Sequence, residues 1–272
     1  MRRLACVLAV LLAGCGALTP TDELTWSTEL ARTLPLEDGK TVEAASFSKL
    51  RAGADLKGGW EQFVIVKGNT PTRYELVEQD GTVVIQADSW EGGSGLSRQL
   101  HIDPHRHPII EWRWRVPRES GRGGVNGPSF NSPPVRLSLA FDGDVARLDF
   151  DDRTKLRMAK VLTANGLPYA SLLYVWMNHK PVDALYPSPH TERVRHIVVE
   201  SGEQRLDQWV SVRRNVLEDY KRAFGEEPGH IVAVGIMTDY GDNGAPRRAY
   251  YGDISFHRAD DHRMDCCRQG SK

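Results

Sequence analysis

Short stretches in which apolar and polar residues alternate recur along most of the chain. The clearest are Ile110–Val116 and Val135–Phe141, in which every second residue is apolar. This period of two is typical of strands that bury one face and expose the other. Turn-forming pairs such as Asp80-Gly81 separate the stretches at short intervals. That spacing favours a sandwich or barrel over alternating strands and helices.

We therefore predict a mostly β protein with a single antiparallel β-sandwich over residues 41–258. Further strands are predicted at 45–50, 62–67, 73–78, 82–87, 95–102, 170–177 and 193–200. Trp112 and Trp114 lie on the apolar side of their strand. Because large aromatic rings at such positions usually pack inward, we expect both in the core.

The polar side of the same strand carries Glu111, Arg113 and Arg115. A mixture of charges at alternate positions is typical of a solvated face. Arginines beside exposed aromatic rings also bind acidic sugars or phosphates. Both interpretations stay open, and we retain the three residues as a candidate polar face.

One amphipathic helix is predicted near residues 207–224. The apolar residues that recur there every three or four positions are Trp209, Val212, Val216, Tyr220 and Phe224. Gly225 follows as a stop signal. The basic segment 154–165 fits either a short helix or an irregular excursion.

The stretch His230–Phe256 predicts two strands joined as a central hairpin. Its loop contains Asp239, Asp242 and Asn243, and Asp253 lies on the second strand. Several oxygen donors close together suit calcium, although the spacing does not match an EF-hand. A turn in which the acids bond backbone amides explains the same residues. Calcium or a sugar hydroxyl is therefore one of two interpretations of this loop.

Histidines are densest at residues 101–107, where His101, His105 and His107 accompany Asp103. Three imidazoles and a carboxylate suit zinc or copper. The neighbouring prolines, however, indicate a loop between strands, where exposed histidines without a metal are common. A metal site is the less favoured of the two interpretations.

The N-terminus combines Arg2 and Arg3 with an apolar run that ends in small residues before Cys15. This pattern predicts a signal peptide over residues 1–14, too short to span a bilayer. It also resembles the bacterial lipobox, so we expect lipidation of Cys15; an ordinary signal peptide cut nearby is the alternative. Because Gly16 rather than aspartate follows the cysteine, resemblance to enterobacterial sorting implies the periplasmic face of the outer membrane.

Residues 15–40 have little periodicity and are predicted to tether the body to the lipid. Residues 259–272 are predicted to be a disordered tail. This tail contains Cys266 and Cys267, for which metal binding or cross-linking between chains is the alternative.

Composition excludes some functions. A net charge of −1 and a pI near 6.8 argue against bulk electrostatic binding of nucleic acid. Zinc-protease, phosphate-loop, dinucleotide and nucleophile-elbow motifs are not found in the sequence. A carboxylate pair for glycoside cleavage stays open, and its candidates are Glu61, Glu111, Asp142 and Asp149.

Several short motifs in order resemble the bacterial family known as domain of unknown function 3047. They are Ile110–Val116, Tyr174–Trp176, Arg214–Val216, Asp219-Tyr220, Phe224-Gly225, Ile236–Asp239 and Ala249–Ile254. The resemblance covers about Phe47 to Phe256. It implies an envelope β-sandwich of the jelly-roll or galactose-binding-like kind, with no established activity. The family tends to carry paired aspartates before the strand that here begins at Val135, whereas this chain has Ser129–Pro134 with no acid.

We therefore expect a lipid-anchored cell-envelope protein whose non-catalytic β-sandwich binds glycans or another envelope component. The first alternative is a carbohydrate-active hydrolase or lyase on a jelly-roll fold. The second is a scaffold that contacts only proteins. No cofactor is predicted apart from calcium at the loop after Asp239.

Overall fold

The computed structural model describes residues 34–64, 70–90, 92–118, 133–162, 167–239 and 246–259. Within these ranges the strands are β1 (Thr41–Ala45), β2 (Trp60–Val64), β3 (Arg73–Gln79), β4 (Thr82–Ser89), β5 (Gly93–Ile102), β6 (Ile109–Arg115), β7 (Arg136–Phe141), β8 (Ala170–Met177), β9 (Leu185–Pro187), β10 (Val194–Ser201), β11 (Val210–Asn215), β12 (Ile231–Asp239) and β13 (Arg247–His257). The helices are α1 (Phe150–Leu162) and α2 (Val216–Phe224).

Two sheets form a sandwich. The six-stranded sheet has the order β11-β6-β13-β4-β3, with β1 also paired to β13. The seven-stranded sheet has the order β2-β5-β12-β7-β8-β10-β9. From β4 to β7 the chain crosses between sheets at every step, β8 stays beside β7, and β11 to β13 cross again. This wrapping is jelly-roll topology, so the predicted fold class is confirmed.

The core lies between the two sheets and is rich in aromatic side chains. Trp114, Trp176 and Tyr251 are at most 1% exposed, and the rings of Trp112 and Trp114 meet edge to face with centroids 5.5 Å apart. The expected burial of Trp112 and Trp114 is thus confirmed. Their alternation with charged residues along β6 determines which face of the six-stranded sheet points inward.

The helix predicted near 207–224 begins later than its periodicity suggested. Residues Val210–Asn215 form β11, which pairs antiparallel with β6, and only Val216–Phe224 is helical. Val210 and Val212 point toward the core while Ser211 lies exposed between them. Val210 and Val212 fit a strand period of two as well as a helical period. Because the backbone of this segment pairs with β6, it forms a strand.

Local signals do mark the true ends of α2. The side chain of Asn215 accepts a hydrogen bond from the backbone amide of Glu218, which caps the first turn. Gly225 has a left-handed backbone with φ 69° and ends the helix. Segment 154–165, whose sequence fits either a short helix or an irregular excursion, falls largely within helix α1.

The predicted central hairpin is wrong, because β12 and β13 belong to different sheets. Their contact passes through the core, where the hydroxyl of Tyr251 donates to the carbonyl of Met237 at 2.7 Å and lies 2.8 Å from the hydroxyl of Thr238. In a sandwich, two consecutive strands can pair with each other or can each pair with other strands in opposite sheets. Two strands joined by a loop therefore do not by themselves imply a hairpin.

Two further expectations need correction. The strand predicted at 45–50 ends at Ala45 and is followed by a 3-10 turn at Phe47–Lys49. The sandwich is also not purely antiparallel, because β8 and β10 pair in parallel. Parallel neighbours need a long connection, and here β9 forms within it and pairs with the outer edge of β10.

Part of the predicted tether lies against the sandwich. The amide of Glu37 donates to the carbonyl of His101 at 2.9 Å, and Asp38 pairs with Arg258 at 3.0 Å. The predicted signal peptide, Cys15, Cys266 and Cys267 lie outside the described residues. In the part of the chain that the structure describes, no helix has the length and apolar character needed to span a bilayer.

Candidate functional site

The outer face of the six-stranded sheet contains a depression of about 370 Å³. Strands β11, β6 and β13 form its floor. The polar residues that line it are Glu111, Arg113, Ser211, Arg213, Asp253 and Ser255. Because these positions alternate with core residues, the same period of two that builds the sandwich also collects their polar groups on one surface.

A β-bulge in β13 shapes the floor of this depression. Tyr251 pairs with Trp114 and Ile254 pairs with Trp112, so Gly252 and the following residue together oppose Arg113. Bulges of this kind occur often beside functional sites, where they reorient side chains. A Cβ on Gly252 would lie 2.5 Å from Cγ of Arg113. Glycine therefore allows the stem of Arg113 to cross directly over the β13 backbone.

The tip of the β3–β4 hairpin lies beside the depression. Asp80 and Gly81 form its turn with φ angles of 53° and 74°, the left-handed geometry of a two-residue hairpin turn. Beyond Ile85 the β4 strand leaves β13, which pairs with β1 from Ile254 onward. The hairpin tip is therefore free to fold over the face of the sheet.

Asp80 makes the contacts that hold this tip in place. Its Oδ2 accepts a hydrogen bond from Nε1 of Trp209 at 3.1 Å and lies 3.6 Å from Nη1 of Arg115. Trp209 precedes β11, and Arg115 ends β6 on the outward side. The turn of the β3–β4 hairpin therefore lies at the border of the surface that β11, β6 and β13 form.

Arg113 lies against Trp209 within this surface. Its guanidinium carbon is 4.7 Å from the centroid of the indole ring, a cation–π geometry. The ring of Tyr250 lies beyond Trp209, with centroids 6.5 Å apart. Packing against the indole restricts the plane of the guanidinium.

The other charged groups of the depression have close partners. Glu111 forms an ion pair with Arg213 and has His257 at 3.7 Å. Asp253 accepts hydrogen bonds from both the amide (2.9 Å) and the hydroxyl of Ser48. Among the described residues, Arg113 has the indole contact but no carboxylate at ion-pair distance.

The structure thus brings Glu111, Arg113 and Arg115 together on one outward face, as their spacing indicated. It does not bring Asp239 and Asp253 together. Asp239 ends β12 in the other sheet, where it pairs with Arg136 at 2.5 Å and has one buried oxygen without a hydrogen bond. Asp242 and Asn243 lie outside the described residues, so calcium at that loop stays a prediction.

The histidine cluster does not converge on one point. His101 and His107 lie 2.9 and 2.6 Å from carbonyl oxygens of the segment before β1. Asp103 accepts from the amide of His105, whose ring is 3.7 Å from Glu227. Among the described residues, no group of three or more histidine, cysteine or acidic side chains is placed to hold a metal ion.

The four carboxylates considered for glycoside cleavage are also distributed over separate elements. Glu61 lies on β2 in the seven-stranded sheet, whereas Glu111 is on the outer face of the other sheet. Asp142 accepts from the amide of His230 at 2.6 Å, and Asp149 accepts from the amide of Asp152 at the start of α1. None of these contacts joins two of the four.

A second depression, of about 430 Å³, lies where β11 meets α2. Here the buried Asp219 binds Arg214 through two hydrogen bonds of 2.8 and 2.6 Å and accepts another from the hydroxyl of Tyr174 at 3.0 Å. Burial and the Asp219 carboxylate raise the pKa of Tyr174 well above its usual value. The hydrogen bonds to Asp219 raise the pKa of Arg214. This mutual pairing is typical of a structural network.

On the outer face of the seven-stranded sheet, His196 stacks on Tyr186 with centroids 4.8 Å apart. Burial and the nearby charge of Arg136 lower the pKa of His196 to about 4. Burial raises the pKa of Tyr186 to about 12. Both side chains are therefore neutral at pH 7.

The sequence analysis did not identify Arg213, which lines the first depression, or Trp209 and Asp80, which lie beside it. The first two were assigned to the predicted helix, and Asp80 was regarded only as a turn residue. The alternation Val210-Ser211-Val212-Arg213 was the available signal for a strand. No local signal indicates that Asp80 reaches Trp209, which is 129 residues away.

Comparison with curated proteins gives no match. Among solved structures, the chain is similar to the carbohydrate recognition domain of Emp47p (13% identity, 80% of this chain and 95% of that one, TM-score 0.42). It is also similar to a family 30 carbohydrate-binding module from a Clostridium thermocellum cellulase (12% identity, 81% and 99%, TM-score 0.34). At such TM-scores these likenesses assign no ligand.

A third similarity is to the glycoside hydrolase domain of Endo-D from Streptococcus pneumoniae R6, at 9% identity and a TM-score of 0.31. The match covers 75% of this chain but spans only 22% of that structure. The model of one protein family, described as a protein of unknown function (DUF3047), matches residues 58–255. The match includes β2 to β12 and most of β13, and the chain belongs to this family.

Proposed function

We propose that this protein is a lipid-anchored component of the cell envelope whose β-sandwich binds glycans at the depression on the six-stranded sheet. One observation carries the proposal: a bulged strand, a displaced hairpin tip and a tryptophan-supported arginine meet on one otherwise regular outer face. A solvated face with no ligand needs none of these three irregularities.

The side chains in the depression suit a sugar better than an apolar ligand. Ser211 offers a hydroxyl group, Ser255 offers one that also lies 2.8 Å from Nε2 of His257, and Arg113 offers a planar set of N–H donors. Sugar hydroxyls both donate and accept, so a surface with both kinds of group binds them without leaving polar atoms unpaired. Because the depression lies on the outer face of a sheet, it fits a chain of sugars better than an enclosed small molecule.

The binding interpretation is retained over the enzyme alternative because of the carboxylate contacts. In the depression, Glu111 is engaged by Arg213 and Asp253 by Ser48. Glycoside cleavage needs two carboxyl groups that face the same bond. A binding surface has no such requirement.

The proposal is tested with the full-length chain, purified in mild detergent, by titration calorimetry against neutral and acidic oligosaccharides. Ser211 is exposed on the floor of the depression, so Ser211→Trp should fill the space without affecting the fold. Trp209→Ala should remove the support of Arg113. We expect each change to weaken glycan binding by at least about tenfold, equivalent to about 1.4 kcal/mol.

The matched control is Trp90→Ala, because Trp90 is 45% exposed and lies beyond the opposite end of β4 from the hairpin tip. It should leave binding unchanged. Thermal unfolding of every variant checks that the fold is retained. Absence of binding to any oligosaccharide, or equal binding by Ser211→Trp and the unaltered chain, contradicts the proposal.

The lipid anchor and the outer-membrane location rest on the sequence around Cys15. Metabolic labelling with a clickable palmitate analogue should label the unaltered chain and not Cys15→Ser. Cell fractionation should then recover the labelled protein with outer membranes and the variant in the soluble periplasmic fraction. Labelling that persists in Cys15→Ser contradicts the anchor and leaves the glycan proposal to be judged by calorimetry alone.

A further inference from the structure

The pairing of charged groups in the same depression indicates which kind of glycan it binds, an inference that rests on the proposed function. Glu111 and Arg213 neutralise each other, and Arg115 lies 3.6 Å from Asp80. Asp253 keeps its negative charge, but each of its oxygens accepts a hydrogen bond from Ser48. These pairs leave Arg113 as the lining cation that has no carboxylate at ion-pair distance among the described residues.

The position of Arg113 is also fixed before any ligand arrives. Gly252 lets its stem lie across β13, with the position of a Cβ only 2.5 Å from its Cγ and 2.6 Å from its Nε. Trp209 supports the guanidinium at 4.7 Å, and Asp80 holds the indole through Nε1 at 3.1 Å. A side chain held this way loses little further conformational entropy on binding.

We propose that Arg113 binds the carboxylate of an acidic sugar, so that the ligand is a glycan containing uronic acid. A guanidinium whose plane is held by an aromatic ring offers two parallel N–H donors, which match the two oxygens of a carboxylate. The neighbouring hydroxyls of Ser211 and Ser255 then face the ring hydroxyls of the same sugar.

The test is calorimetry on the full-length chain with oligosaccharides of galacturonate, mannuronate and glucuronate, each beside its methyl ester. Esterification removes the negative charge and keeps the sugar ring. We expect at least one acid to bind at least about tenfold more tightly than its ester. Arg113→Gln should lose this difference, because the acid and the ester then meet the same uncharged side chain.

Two further variants separate charge from geometry. Arg113→Lys keeps the charge but not the planar pair of donors, so it should recover only part of the affinity for the acid. Arg248→Gln is the matched control, because Arg248 is on the same sheet but already makes two hydrogen bonds to Asp88, at 2.5 and 3.0 Å. It should retain the full preference for the acid.

Each outcome decides the matter. Equal binding of the acid and its ester overturns this inference, as does an unchanged preference for the acid in Arg113→Gln. In either case the proposed function stands if Ser211→Trp abolishes oligosaccharide binding. Tighter binding of a phosphorylated oligosaccharide than of any uronate would also overturn the assignment of a carboxylate. If neither acidic nor neutral oligosaccharides bind, the proposed function fails as well.

Discussion

The buried carboxylate of Asp219 offers the sharpest test of how β11 and α2 are joined. Asp219 is 5% exposed. It accepts two hydrogen bonds from Arg214 and one from the buried hydroxyl of Tyr174. Asp219→Ala would leave both donors without this acceptor. Because Arg214 lies on β11, the strand that forms one edge of the depression, the junction is also important for the proposed site.

The expected cost follows from these contacts. Removing one partner of a buried ion pair costs about 3–5 kcal/mol when the other is left uncompensated. Arg214 retains Asp183 at 2.7 Å, and its side chain is 20% exposed to water, which lowers its share. Tyr174 has no such compensation, and a buried hydroxyl left unpaired costs about 1–3 kcal/mol. We therefore expect Asp219→Ala to reduce the free energy of unfolding by about 3 kcal/mol.

Urea denaturation followed by tryptophan fluorescence measures this change, provided that the slope with denaturant stays constant. The matched control is Asp151→Ala, which removes an exposed pair with Lys155 on α1 whose side chains are 75% and 40% exposed. An exposed pair of this kind contributes less than about 1 kcal/mol. A loss for Asp219→Ala no larger than that of Asp151→Ala would refute the reasoning.

Three other predictions concern stability. Because folding lowers the pKa of His196 to about 4, the unfolded chain alone gains a proton there as pH falls from about 6.5 toward 4. The free energy of unfolding should therefore fall over that window by up to about 3 kcal/mol. Urea denaturation at each pH measures this fall, and His196→Gln should reduce it. An equal fall in His196→Gln contradicts the prediction. Trp114→Ala should cost about 3–5 kcal/mol by the same assay, because it empties a fully buried site. Gly225→Ala should cost about 1 kcal/mol through its left-handed φ of 69°, whereas Ala substituted at the exposed Lys221 should change little.

Much of the architecture was readable from local patterns. The strand at Ile110–Val116 and its buried tryptophans were predicted because a period of two specifies both the strand and its inner face. The turn at Asp80-Gly81 was predicted because few other pairs adopt positive φ at both positions. Many short strands at regular intervals predicted a sandwich or barrel, and the family resemblance implied the jelly-roll kind.

The errors share one cause. At Trp209–Phe224 the apolar residues fit periods of both two and 3.6, and only the open edge of β6 selects the strand for the first part. The assumed hairpin of β12 and β13 failed because nothing in a loop sequence says whether the next strand joins the same sheet or the opposite one. Pairing depends on partners far away in sequence.

The candidate site likewise combines features that follow from local sequence with features that depend on strand pairing. The sequence by itself determined that Glu111, Arg113 and Arg115 share an outward face, since alternate residues of a strand point the same way. Only the tertiary structure decided that a bulge at Gly252 opens room for Arg113, and that Trp209 and Asp80 arrive from distant segments to hold it. Alternation is a property of neighbouring residues, whereas these contacts depend on which strands pair and where one hairpin leaves its sheet.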